Sequence, residues 1–148
     1  MQLMARDRDL EELSAELRGK KVMIWTCNTC ARLCNVGGSP NAQRLATALR
    51  SEGIGVTSVA SAKAACIASS AMENGGRQIE ACDTVLVLAC DAACRVAERV
   101  FSKPCINPVI TLGPGYLSED GVPVSVGDAE GTLEDITKEK GLPAGPFV

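Results

Sequence analysis

The sequence predicts an α/β protein: an open parallel sheet of about four strands, flavodoxin-like or Rossmann-like, with flanking helices and a further helix ahead of it. Three observations carry this. Short aliphatic runs recur at Lys21-Val-Met-Ile-Trp-Thr26, Ile54-Gly-Val-Thr-Ser-Val-Ala60 and Thr84-Val-Leu-Val-Leu-Ala89, as in strands buried on both faces. Stretches of helical periodicity separate them, the pattern of βαβ units. Clusters of Gly, Pro and Asn mark short links between the two.

Leu10, Leu13 and Leu17, spaced by charged residues and followed by Gly19, form an amphipathic helix. The Lys21–Thr26 run is the first strand and delivers the chain to Cys27. Ser39-Pro40 supplies an N-cap with proline behind it, and Ala42, Leu45, Ala46 and Leu49 repeat at helical spacing up to Gly53. Residues 54–60 are the second strand. The small residues from Ala62 to Met72 suit a turn and a tightly packed helix that Asn74-Gly-Gly76 ends.

A helical turn over residues 77–81 precedes the third strand, which ends at Cys90, and Asp91 can cap a helix over residues 92–101. Pro104-Cys-Ile-Asn-Pro-Val-Ile110 is a fourth strand, placed at an edge by its prolines. Gly113-Pro-Gly115 and the remainder read as loop and tail, apart from a short strand over residues 122–126 and a last helix over 133–140. The chain thus divides into an N-terminal helix or arm (1–20), the α/β domain (21–115) and a C-terminal extension (116–148).

Composition removes several classes of function. Lys and Arg number 15 against 18 Asp and Glu, a net charge of −3 without a basic run; nucleic acid is not an expected partner. No stretch reaches membrane-spanning length and the N-terminus lacks a signal-peptide core, so the expectation is a cytoplasmic protein without membrane insertion. The chain has no histidine, which excludes Ser-His-Asp and Cys-His catalysis and histidine-based zinc hydrolysis. Gly37-Gly38 is not a dinucleotide fingerprint, and no phosphate-binding loop sequence is present.

What the chain has is eight cysteines, which in a reducing cytosol point to metal ligands, redox thiols or small buried side chains. In open parallel sheets the working site lies outside the carboxyl ends of the strands. Cys27, Cys30 and Cys34 follow the first strand, Cys66 the second, Cys90 and Cys94 the third. With a strand order of 2-1-3-4, these loops fall within roughly 10 Å of one another. Helix N-termini at the same edge favour negative charge there. Cys82 and Cys105 lie elsewhere and are expected only to pack; Cys94, one turn past Cys90, either faces the site or packs.

Four thiolates from three loops can hold a [4Fe-4S] cluster, a [2Fe-2S] cluster or zinc. The lone Cys66 favours iron–sulfur, because zinc sites are commonly built from two close cysteine pairs. Cys-x2-Cys-x3-Cys lacks the proline that follows it in bacterial ferredoxins, Asn35 standing in its place. Cys27 and Cys30 also allow a redox dithiol.

From about Lys21 to about Gly115 the chain resembles the small iron–sulfur subunit that accompanies the flavin subunit of methylenetetrahydrofolate reductase in anaerobic bacteria. The resemblance runs through Cys27-Asn-Thr-Cys-Ala-Arg-Leu-Cys34 with Gly37-Gly38, the lone Cys66, Val85-Leu-Val-Leu-Ala-Cys90 and the Lys103 to Gly113 region. It implies that the ligands of a [4Fe-4S] cluster are drawn from Cys27, Cys30, Cys34, Cys66 and Cys90, one of them in the surrounding shell. It implies a non-catalytic electron-transfer or supporting role in one-carbon metabolism, beside a flavin-containing reductase subunit or another subunit of a redox complex. The chain departs from the family in having no cysteine after Cys105, where members continue into a cysteine-rich segment, and in Asp91 and Cys94, where small or apolar residues are usual. A similar cysteine layout occurs in the small iron–sulfur subunit of hydrogenase–heterodisulfide reductase complexes. A four-cysteine zinc module and an independent thiol enzyme remain as readings from other classes.

Overall fold

The computed structural model describes residues 1–127 and 131–148. Its centre is a four-stranded parallel sheet in the order β3-β2-β4-β5, formed by β2 (Lys21–Cys27), β3 (Gly55–Ala62), β4 (Thr84–Leu88) and β5 (Cys105–Ile106). This is the expected α/β architecture, consistent with a flavodoxin-like or Rossmann-like fold. β2 and β4 lie inside, and every residue from Val22 to Cys27 and from Thr84 to Leu88 is buried. That is why these two runs read as continuous apolar segments instead of alternating ones.

Helices cover the sheet. α1 (Leu10–Leu17) is capped by Asp9, whose carboxylate accepts from the Glu12 amide, and buries Leu13 and Leu17. α3 (Ser39–Ser51) buries Ala42, Leu45, Ala46 and Leu49, the apolar set spaced for it in the sequence. α4 (Ala68–Gly75) and α5 (Asp91–Phe101) complete the layers. Trp25 and Phe101 meet edge to face, centroids 5.3 Å apart at 85°. Gly75 sits where an added Cβ would come within 2.6 Å of the Phe101 ring, so glycine lets α4 close on this aromatic pair.

Several boundaries differ from expectation. β3 extends to Ala62, so α4 starts later than the small-residue run suggested, and the turn before β4 is a 3-10 turn over Ile79–Ala81. The residue entering α3 is Gly38, with Ser39 already helical. Cys90 likewise takes the capping position of α5, with Asp91 in its first turn.

The larger differences concern a second sheet. Residues 2–6 form β1 (Gln2–Arg6), and Leu3, Met4 and Ala5 are almost wholly buried. β1 pairs antiparallel with β6 (Val109–Leu117), which pairs in turn with β7 (Pro123–Ser125). The expected fourth strand therefore divides: Cys105–Ile106 stays in the parallel sheet, Asn107-Pro108 breaks the run, and Val109 onward joins β1. Gly113-Pro-Gly115 is strand instead of loop. An added Cβ on Gly115 would lie 2.6 Å from the Val124 carbonyl and 2.7 Å from Leu3, so glycine here allows close packing of three strands. The pairing register shifts at Leu3/Met4, opposite Gly113, whose φ is +125°. The last helix is found as expected, α6 (Leu133–Lys140), closed by a capping box from Thr132 and Asp135.

Candidate metal centre

The loop after β2 is held by its own backbone. After Thr29 the chain makes a single turn, α2 (Cys30–Leu33), and the amides of Val36 and Gly37 both return to the Ala31 carbonyl, at 3.1 and 3.0 Å. Asn35 and Gly38 take left-handed backbone, with φ of 58° and 88°. The return path is cramped: a Cβ on Gly37 would lie 2.7 Å from Thr26 Oγ1 and 2.8 Å from the Leu88 carbonyl.

Thr26 joins this loop to the neighbouring strand. Its hydroxyl donates to the Leu88 carbonyl at 2.8 Å and accepts from the Gly38 amide at 2.8 Å, in a wholly buried position. A second junction ties the loop to β3 and α3. Asn28 Oδ1 accepts from the Ser39 amide at 2.8 Å, Asn28 Nδ2 donates to Ser61 Oγ at 3.1 Å, and Ser39 Oγ donates to Ser61 Oγ at 2.9 Å. Thr29 Oγ1 donates to the Lys63 carbonyl. Thr26, Asn28, Ser39 and Ser61 thus fix the loop after β2 against its neighbours; of the four, the sequence reading singles out only Ser39, and that as a helix cap. Thr26 carried a signal, as a polar residue at the end of an apolar strand and ahead of a Gly-Gly pair.

On this scaffold Cys90 comes within electrostatic reach of Cys30 and Cys66, each carried by a different loop. Burial pushes the Cys90 thiol up, the amides of Ala93 and Ala92 at the start of α5 pull it down, and the charges of Cys30 and Cys66 push it up again. Coupling of this kind is short-range, fading over about 10 Å in salt. Cys66 is exposed and Cys30 partly so, leaving the group open on one side.

The other two expected ligands each hold a backbone partner of their own. Cys34 is pushed up to about 11, first by burial, with the charge of Cys30 adding and the Met4 backbone opposing. Its thiol donates to the Gln2 carbonyl at 3.5 Å, so β1 forms its seat. Cys27 donates to the Lys63 carbonyl at 3.6 Å and accepts from the Thr29 amide at 3.5 Å. Beyond Cys34 opens a largely apolar cavity of about 320 Å³, lined by Met4, Leu33, Val122, Leu133 and Thr137.

Cys94 packs away from this group. It donates to Glu98 Oε1 at 3.7 Å, and it is pushed up to about 11 by burial and by the charge of Glu98. Cys105, pushed up to about 12 by burial and then by the charges of Cys94, Glu98 and Cys82, is its neighbour. Cys82 is buried and donates to the Ile79 carbonyl at 3.2 Å. These three thiols belong to the flank of the sheet where α5 meets β5.

Among the described residues, no three His, Cys, Asp or Glu side chains stand close enough to clasp a single metal ion. The chemistry of the donor set still fits a thiolate-bound cluster. Cys30, Cys66 and Cys90 would supply three thiolates, Cys27 or Cys34 the fourth, and the α5 amides already point at one sulfur. Compared with protein-family models, with curated proteins and with solved structures, the chain matches none. Among the described residues no helix is long and apolar enough to cross a membrane.

Proposed function

We propose that this protein is an iron–sulfur accessory subunit that relays electrons beside a flavin-containing subunit of a methylenetetrahydrofolate reductase-like complex. One observation carries the iron–sulfur part: the loops after three neighbouring parallel strands bring Cys27, Cys30, Cys34, Cys66 and Cys90 to one edge of the sheet, with Cys90 within electrostatic reach of Cys30 and Cys66. A [4Fe-4S] cluster bound there would supply a one-electron site. The protein's part is to hold the thiolates, to direct the Ala92 and Ala93 amides and the positive end of α5 at Cys90, and to keep Cys27 and Cys34 out of water.

A cluster spans more space than one ion, and tetrahedral zinc at about 2.3 Å from each sulfur would require these loops to close in. The pathway part rests on the resemblance between residues 21–115 and the reductase subunit. Protein purified without oxygen should be brown and contain iron and acid-labile sulfide. It should also co-purify with a co-expressed flavin reductase subunit and raise that subunit's reduction of methylenetetrahydrofolate. A colourless protein lacking iron and sulfide overturns the first part; a cluster-bearing protein that neither binds nor stimulates the flavin subunit overturns the second.

A further inference from the structure

Around the candidate centre the surface is unlike the rest of this acidic chain. Arg32 lies on α2 between Cys30 and Cys34, Arg44 reaches Asn41 beside the Asn35 turn, and Lys63 follows β3, all three exposed. Residues 27–44 and 63–72 contain no acid, and Asp91 is the one carboxylate in the loop and helix start that carry Cys90. The same loops carry exposed apolar side chains, Leu33 at 39% and Ile67 at 51% of full exposure, each next to a cysteine in the chain. The net charge of −3 therefore hides thiol-bearing loops that expose cations and apolar side chains and almost no acid.

We propose that this edge is the docking face for an acidic one-electron carrier protein, with Arg32, Arg44 and Lys63 meeting its carboxylates and Leu33 and Ile67 filling the contact. The inference rests on the reading of the thiols as an iron–sulfur centre. An apolar centre with a charged rim is the anatomy of a protein interface, and complementary charge sets the rate of encounter and the orientation of docking. Three cations on an acidic chain make a poor site for RNA or an anionic membrane, where many phosphates must be neutralised and the rest of the molecule is repelled.

The test uses protein prepared without oxygen and first assayed for iron and labile sulfide. If both are absent, the redox reading fails and this inference falls with it. If they are present, cluster reduction by a pre-reduced, acidic bacterial ferredoxin is followed by stopped flow over a range of salt. The second-order rate should fall on the order of tenfold between low and physiological ionic strength. Arg44→Glu with Lys63→Glu should lower the low-salt rate by a similar factor, with iron content unchanged.

Lys21→Glu with Arg77→Glu, which makes the same change in net charge away from the thiol loops, should leave the rate within about twofold. Reduction by dithionite should not distinguish the rim variant from the parent. A ferredoxin rate indifferent to salt overturns the proposal whether or not the rim variant folds. It is overturned equally if poly(U) RNA or phosphatidylserine vesicles bind tightly and lose binding in the Arg44/Lys63 variant, which would mark a polyanion site.

Discussion

Removing the Thr26 hydroxyl should weaken the fold and the candidate centre together. Thr26→Val keeps the volume and the β-branched shape, so packing against the strand is nearly unchanged, but the exchange is not neutral because a hydroxyl is lost. Two buried partners at 2.8 Å lose their contact, the Leu88 carbonyl and the Gly38 amide. An unsatisfied buried polar group costs about 1–3 kcal/mol, and a carbonyl with a second lone pair suffers less than an amide. The expected loss is thus about 2–4 kcal/mol in all. For a domain of this size that is a large part of a total of about 5–15 kcal/mol, and equals a fall in midpoint temperature of roughly 5–15 °C.

The measurement is urea unfolding of the reduced, metal-free protein, where the midpoint should fall without a change in slope. Thr26→Ser restores the hydroxyl and loses only a methyl group, so it should recover all but about 1 kcal/mol. Reconstituted with iron and sulfide, Thr26→Val should bind less iron per chain, because the Cys30 loop is no longer fastened beside Cys90. A Thr26→Val protein within about 0.5 kcal/mol of the parent, or a Thr26→Ser protein as weak as Thr26→Val, would refute the stapling role.

Gly37→Ala places a Cβ 2.7 Å from Thr26 Oγ1 and 2.8 Å from the Leu88 carbonyl, and should cost roughly 1–3 kcal/mol in the same unfolding assay. Single Cys66→Ala and Cys90→Ala variants should lose bound iron, while Cys94→Ala and Cys105→Ala retain it, read by iron content per folded chain. In alkali, Cys105 adds a distinct instability. Its thiol ionises near 9 when unfolded but is held up to about 12 in the folded protein, so its protonated form is favoured by folding. The associated stability is full below about pH 9 and is lost as pH rises from there towards 12. Cys105→Ala should flatten the fall in unfolding midpoint over that interval; a fall unchanged in slope would contradict it.

The parallel sheet was legible because its signals are local. An apolar run such as Thr84–Leu88 is buried from both sides wherever its neighbours come from, and Ala42, Leu45, Ala46 and Leu49 lie on one side of a helix by spacing alone. The gathering of cysteines at one edge followed from the same reasoning, since parallel strands bring their carboxyl ends together. β1 was hidden because Leu3-Met-Ala5 is short and beside charged residues, and its burial depends on β6, more than a hundred positions away. β6 was hidden because Gly113-Pro-Gly115 has turn chemistry. Its glycines serve instead a register shift and the close approach of Leu3 and Val124.

For the cysteines the division is similar. Sequence order and strand periodicity by themselves determined that Cys27, Cys30, Cys34, Cys66 and Cys90 emerge at one edge of an α/β sheet. Only the tertiary structure decided how they differ there: Cys90 feels the charges of Cys30 and Cys66, Cys34 is seated on β1, Cys27 turns to Lys63, and Cys94 pairs with Glu98. The physical reason is range. Periodicity specifies which side of an element a residue occupies, whereas the direction of a thiol depends on hydrogen bonds and burial supplied by segments distant in the chain.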